Sequence, residues 1–185
     1  MKILGISGSP RERNTCYMLK TVLDATNHKY ELISLKNKNI QPCCDCRYCH
    51  KNYKCTLNDD MQELYDKLLN ADIIVLGSPT YFSNVTGIMK IFMDRCLPFY
   101  FSRKLKNKKT GVVTVGNFEE YLEFDEKGNC KWHKEEESSV LKCLRNLETF
   151  CNHLGLKIIG SVYVLHSNPK EKKEELIQLG KKLIS

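Results

Sequence analysis

Along the chain, apolar positions switch repeatedly between a strand rhythm and a helical one. Residues 2–7 (KILGIS) form a short apolar run that reads as a buried strand. Residues 15–27 follow with Met18, Leu19, Val22 and Leu23 at helical spacing. Residues 30–35 (YELISL) alternate, as a strand with one buried face does. Asp60, with Glu63 three residues on, predicts a capping box that opens a helix striped by Met61, Leu64, Leu68 and Leu69. Residues 72–77 (DIIVLG) are apolar without alternation, which predicts a strand buried on both faces. Residues 87–97 are helical yet apolar nearly all round. Residues 110–116 (TGVVTVG) and 157–165 (KIIGSVYVL) read as strands, and residues 139–154 and 171–184 as helices. Strand and helix alternate five times, the pattern of a parallel sheet with helices on both faces. Five such strands point to the order 2-1-3-4-5. With no internal repeat, low-complexity tract or linker, residues 1–185 are expected to form one domain.

Two segments break the alternation. Residues 36–58 separate the second strand from its helix and hold half of the cysteines. Residues 117–137 follow the fourth strand, and within them 121–124 and 130–133 have the pattern of a hairpin across 125–129. Both lie at carboxyl ends of strands, where open α/β sheets bind ligands. The plainer reading of the second is a surface excursion.

Composition narrows the function classes. The formal net charge is +7, but the lysines are scattered, and the group at residues 170–173 is offset by Glu171, Glu174 and Glu175. That disfavours nucleic acid and suits anionic small molecules. Ten cysteines are many for 185 residues. The run Ile3-Leu4-Gly5-Ile6 is too short for a secretory core, and nothing approaches the roughly 18 apolar residues of a membrane span. A cytoplasmic protein with reduced thiols, free for metal or redox work and with no membrane partner, is therefore expected.

The first strand runs into Ser7-Gly8-Ser9-Pro10-Arg11-Glu12-Arg13-Asn14-Thr15. Gly8 permits a sharp turn and small residues let backbone amides approach an anion. Ser7, Ser9 and Thr15 offer hydroxyls, Asn14 an amide and Arg11 a charged fork, at the positive end of the first helix. A compact phosphate fits; the nucleotide-triphosphate loop and the dinucleotide fingerprint are both missing. The third strand ends in Gly77-Ser78-Pro79-Thr80-Tyr81-Phe82-Ser83-Asn84. There Tyr81 and Phe82 are placed to flank an aromatic ring, with backbone amides and Thr80 or Ser83 at its polar edge.

Taken with Asp59-Asp60-Met61, Lys90, Phe92-Met93-Asp94-Arg95 and the cysteine segment, these stretches resemble the NAD(P)H-dependent FMN reductase group, specifically its iron–sulfur flavoprotein branch. The likeness covers roughly the first hundred residues. It implies a flavodoxin-like three-layer sandwich that binds FMN noncovalently, as a homodimer or homotetramer. By position, Ser9, Arg11, Asn14 and Thr15 would hold phosphate, and Pro79, Thr80, Tyr81, Phe82 and Ser83 the isoalloxazine. Where many FMN reductases carry a glycine-rich loop after the fourth strand, this chain has Gly116-Asn117-Phe118-Glu119, and only Gly116 is carried over to the cofactor site.

Cys43, Cys46, Cys49 and Cys55 follow C-x2-C-x2-C-x5-C. Two successive two-residue gaps curl the chain so that three thiolates converge, as in the compact ligand runs of cubane clusters. Structural zinc more often uses two pairs with a longer spacer. A [4Fe–4S] cluster is the leading reading, with zinc and free redox thiols as the others. Cys44 is expected to point away, and Cys16, Cys96, Cys130, Cys143 and Cys151 to be structural thiols. The function expected is an FMN-dependent oxidoreductase relaying electrons between cluster and FMN. NAD(P)H is the possible donor, and a small molecule or a ferredoxin-like protein the partner. The alternatives are a cluster-free NAD(P)H-dependent FMN or quinone reductase, a carrier with no substrate of its own, and a zinc-stapled binding module. No acid/base side chain is assigned, because flavin N5 carries the chemistry.

Overall fold

A computed structural model describes residues 1–116 and 123–185. Its strands are β1 (Ile3–Ser7), β2 (Tyr30–Ser34), β3 (Ile73–Pro79), β4 (Lys109–Val115) and β5 (Lys157–Val164). Its helices are α1 (Asn14–Asp24), α2 (Tyr48–Asn52), α3 (Met61–Asn70), α4 (Gly87–Arg95), α5 (Leu97–Ser102), α6 (His133–His153) and α7 (Lys173–Ile184). All strand pairs are parallel, in the order β2-β1-β3-β4-β5, with Ile3 opposite both Tyr30 and Ile73, and Pro79 opposite Val115.

The two-residue period of the strands divides the core. Ile3, Ile73, Val75, Val113 and Val162 pack towards Met18, Leu19 and Val22 of α1 and Leu176, Leu179 and Leu183 of α7. Their neighbours Leu4, Ile6, Ile74, Leu76 and Val112 face the opposite layer, with Met61 and Leu64 of α3, Met89 and Phe92 of α4, and Leu144 and Leu147 of α6. Every residue of β1 and β3 is buried, as their unbroken apolar runs require, whereas β2 at the edge buries only Ile33 fully. The architecture is the expected flavodoxin-like sandwich, and it puts the carboxyl ends of β1, β3 and β4 side by side.

Some boundaries differ from expectation for identifiable reasons. The helix over 87–97 stops at Arg95 and restarts at Leu97, because Pro98 has no amide proton and its ring clashes with the carbonyl four residues back. The capping box does not form. Asp60 is drawn away by the loop, accepting from the Asn39 amide at 2.7 Å, and Asp59 takes over by accepting from Met61 N at 3.0 Å. Glu63 instead pairs with Lys38 at 2.9 Å. Helix α6 begins at His133, six residues before the expected start; Glu135 and Glu136 favour its first turn through the helix dipole but supply no apolar period. The expected hairpin is seen as one antiparallel bridge, Phe124 to Cys130; Tyr121 and Leu122 of its first arm lie outside the described residues. Among the described residues no helix is long and apolar enough to cross a membrane.

Candidate functional site

Gly8 sits where β1 gives way to the loop, donating its amide to Gly77 O of β3 at 2.8 Å. Its small size matters for a reason other than turning: a Cβ there would stand 2.6 Å from Met89 Cβ, so glycine lets α4 close on the loop. Thr86 caps α4 by accepting from Met89 N at 3.2 Å, and the same hydroxyl donates to Gly8 O at 2.5 Å. One side chain thus locks α4 to the loop, and sequence reading passed it over because a helix cap accounts for it.

A cavity of about 330 Å3 opens above the loop, lined by Ser9, Arg11, Arg13, Asn14, Thr15, Pro79, Tyr81, Val115, Gly116 and Ser167. Helix α1 begins here with no side-chain cap and no acidic residue in its first turn, leaving its amide end for an anion. The Ser9 hydroxyl donates to Arg11 O at 2.5 Å and accepts from Arg11 N at 3.1 Å, which folds the loop tightly. The Asn14 amide donates to Ser167 O at 2.9 Å, and the Ser167 hydroxyl donates to Gly116 O at 3.1 Å. The turn after β5 therefore forms one wall. Ser7 does not line this cavity; it is buried beneath, its hydroxyl 3.4 Å from the Ser9 amide.

A second cavity of about 710 Å3 continues from the first, sharing Arg11, Tyr81 and Gly116 with it and adding Thr80, Phe82, Ser83, Glu135, Glu136, Ser139 and Val140. Tyr81 and Asn84 exchange backbone hydrogen bonds at 2.8 and 2.9 Å around Phe82 (φ 48) and Ser83 (φ 60). Two consecutive left-handed residues make a tight hairpin turn that normally favours Asn and Gly. Asn146 and Ser139 of α6 hold the turn through Asn84 (3.0 Å) and Ser83 (3.1 Å). Phe82 is fully exposed at the tip and Tyr81 is partly exposed, so of the two aromatics only Tyr81 borders both cavities. Glu136 lies behind Gly116, buried, with its carboxylate 2.7 Å from His166 Nδ1 and accepting from His166 N at 2.9 Å. Any Cβ at residue 116 would collide with that carboxylate. Glu136 and His166 are 30 residues apart in sequence, and no spacing rule connects them.

The cysteine segment is built differently. Asp45 (φ 50), Arg47 (φ 58) and Tyr53 (φ 56) are left-handed, and they coil residues 43–55 around the single turn α2. Cys43, Cys44 and Cys46 are exposed, while Cys49 and Cys55 are half-buried. The Tyr48 amide, followed by the Thr56 hydroxyl, lowers the Cys46 thiol below its ordinary pKa. Burial raises Cys49, and the charges of Cys43, Cys55 and Cys46 raise it further, so the four spaced thiols share one neighbourhood. Among the described residues, however, no three His, Cys, Asp or Glu side chains form a group able to hold a single metal ion. Of the other thiols, Cys96, Cys143 and Cys151 are buried in the core; burial pushes Cys151 up to about 12, so it stays protonated and inert.

The profile of the family described as NADPH-dependent FMN reductase matches residues 1–126. An iron–sulfur flavoprotein of Methanocaldococcus jannaschii is 42% identical over 120 residues, covering 63% of this chain and 62% of that protein. Another, from Archaeoglobus fulgidus, is 43% identical over 98 residues, covering 51% and 48%. The matches therefore span about half to three-fifths of the length of these curated relatives. Among solved structures, a flavone reductase superposes over 100% of this chain and 62% of its own, with a TM-score of 0.71 at 22% identity. The flavodoxin of Megasphaera elsdenii covers 98% of each chain, with a TM-score of 0.59 at 15% identity.

Proposed function

This chain belongs to the NADPH-dependent FMN reductase family, and from that premise we propose that it is a flavin-dependent oxidoreductase relaying electrons between FMN and a [4Fe–4S] cluster. The observation that carries the flavin half is the continuous cleft across β1, β3 and β4, with an anion end at the α1 amides and a wide end between Tyr81 and Glu136. FMN bound there supplies hydride and single-electron chemistry. Arg11, Ser9, Asn14 and Thr15 hold its phosphate. Pro79, Thr80, Tyr81, Ser83 and Gly116 border the ring, and α6 closes the far wall. NAD(P)H is the proposed electron donor.

Cys43, Cys46, Cys49 and Cys55 are the proposed cluster ligands. A tetrahedral zinc needs four sulfurs each about 2.3 Å from one ion, whereas a cubane spreads its ligands over four irons. The C-x2-C-x2-C-x5-C spacing of the four thiols is what favours the larger centre. The iron–sulfur flavoproteins among the relatives support the same reading.

The chain is also proposed to form a homodimer or homotetramer. Met89 and Phe92 are buried in the core and Ile88 and Met93 pack against its edge, while these two, Ile91 and Leu97 stay half-buried and Tyr100 is exposed. A groove of about 360 Å3 between α4, α5 and α6 includes Met93, Leu97, Tyr100 and Phe150, and a second copy would cover it. One anaerobic preparation tests the whole reading by visible spectrum, iron, sulfide and flavin analysis and light scattering. The expected result is one FMN and four irons per chain in a species of at least two chains. A colourless, zinc-loaded protein would overturn the redox reading, and a monomeric mass with FMN bound would overturn the oligomer.

A further inference from the structure

Arg95 and Asp59 form a buried ion pair, with side chains 1% and 0% exposed. Arg95 Nη1 donates to Asp59 Oδ2 at 2.6 Å and to Gln41 O at 2.7 Å, and Nη2 donates to Asp59 Oδ1 at 3.1 Å. Asp59 also accepts from the Gln41 amide at 2.9 Å and the Met61 amide at 3.0 Å. Gln41 stands two residues before Cys43, and Asp59 four residues after Cys55. The guanidinium therefore grips both ends of the cysteine loop, while the loop itself lies mostly in solvent.

The Tyr65 hydroxyl of α3 donates to Arg95 O at 2.5 Å. Gln62 Nε2 holds the backbone around the last cysteine, donating to Cys55 O at 3.3 Å and Leu57 O at 2.7 Å. The buried Nε of Arg95 has no acceptor among the described residues. Removing two charges from water is expensive, and apolar side chains of similar volume fill a core equally well. Packing alone does not call for this pair.

We propose that the Arg95–Asp59 pair is the positioning device of the cysteine site: it closes the loop at both ends so that the thiols stay in one neighbourhood before a cluster enters, and it sets a fixed positive charge at the base of the loop, two residues from Cys43. The inference rests on the reading of Cys43, Cys46, Cys49 and Cys55 as cluster ligands. Removing Asp59's charge leaves the guanidinium uncompensated, which favours the more negative, reduced cluster. Removing Arg95's charge does the reverse.

The test uses anaerobically purified wild type, Arg95→Met, Asp59→Asn and the double variant Arg95→Met/Asp59→Leu. The double variant guards against misfolding, because it leaves no buried charge unpaired. FMN content serves as the control for folding. The expected result is a cluster midpoint potential shifted down in Arg95→Met and up in Asp59→Asn. Iron should pass to a chelator about tenfold faster in the double variant, with FMN content unchanged. A purely structural role does not predict shifts of opposite sign. Equal potentials in the two single variants, with unchanged iron loss in the double variant, would overturn the proposal. A wild type without iron would instead refute the cluster reading and the charge effect with it. Amide exchange over residues 41–59 then decides the anchoring: faster exchange in the double variant supports it, and unchanged exchange overturns it.

Discussion

The proposed flavin cleft, at the carboxyl ends of β1, β3 and β4, and the cysteine loop, which packs on α5 where the His50 and Phe101 rings lie 4.2 Å apart, are held in opposite ways. The cleft is made of the fold itself: two strand ends, a helix start and a wall of α6, tied by short contacts such as Thr86 to Gly8 and Asn146 to Asn84. Removing any one contact leaves the others in place. The loop has little core of its own, with three exposed cysteines and a single turn of helix, and its two ends meet through the buried pair and the Asn39–Asp60 hydrogen bonds. A site made from regular elements is robust and preformed. A site made from irregular chain has to be pinned, and the pin becomes its weak point.

The largest expected effect asks whether the two sites are separable. Serine at Cys43, Cys46, Cys49 or Cys55 should abolish or destabilise the brown chromophore, because a hydroxyl is a poor ligand for a cluster held by thiolates. Cys44→Ser should keep it. All five variants should retain FMN, since no cysteine of the loop lines either cavity of the cleft. Visible spectra with flavin and iron analysis measure both. Bleaching in Cys44→Ser would move the ligand set, and flavin loss along with iron would mean that the two sites form one unit.

A smaller effect probes the anion end of the cleft. Arg11 supplies a charge-assisted contact of about 1.5–3 kcal/mol, so Arg11→Ala should weaken FMN binding about tenfold or more. Riboflavin, which lacks the phosphate, should bind nearly as before. Calorimetric titration of the apoprotein with each ligand separates the cases, and an equal loss for both would show that Arg11 acts on the ring instead.

The same contrast governs what was legible in the sequence. The strands and helices were legible in the apolar pattern, and the sheet order and the meeting of the loops after β1 and β3 followed from five strands alternating with helices. The start of α6 was not legible, since residues 133–138 (HKEEES) carry no apolar period and are helical through their continuity with the striped part. The spacing of the cysteines could be read locally, and Asp59 and Arg95 stood among the family-like stretches, but their pairing could not be read, because they are 36 residues apart and an arginine ending a helix looks like a surface charge. Glu136 and His166 behind the flavin wall were invisible for the same reason. Gly8 was singled out as a turn residue, but the structure needs its small size for the approach of Met89.

The smallest expected effect is acid sensitivity confined to the loop. Burial alone would raise the Asp59 carboxyl, but the Arg95 fork and the Gln41 and Met61 amides outweigh it and hold the group below the ordinary carboxylate range. A depressed folded pKa means that the unfolded loop binds the proton more readily. The stabilisation is then fully present above the ordinary value of about 3.9 and is lost as the pH falls through the lower folded value. One group releases at most one proton, so the slope cannot exceed about 1.4 kcal/mol per pH unit. Amide exchange over residues 41–59 should therefore be flat from neutral pH down to about 4, once corrected for intrinsic exchange, and accelerate below it. In Asp59→Asn that acid step should vanish, because the side chain no longer titrates. Residues 7–15 of the phosphate loop, which are not among the hydrogen-bond partners of Asp59, should show no matching step. An acid step of equal size in both regions would mean that the loop opens only with the whole domain, and that its pin is not a separate element.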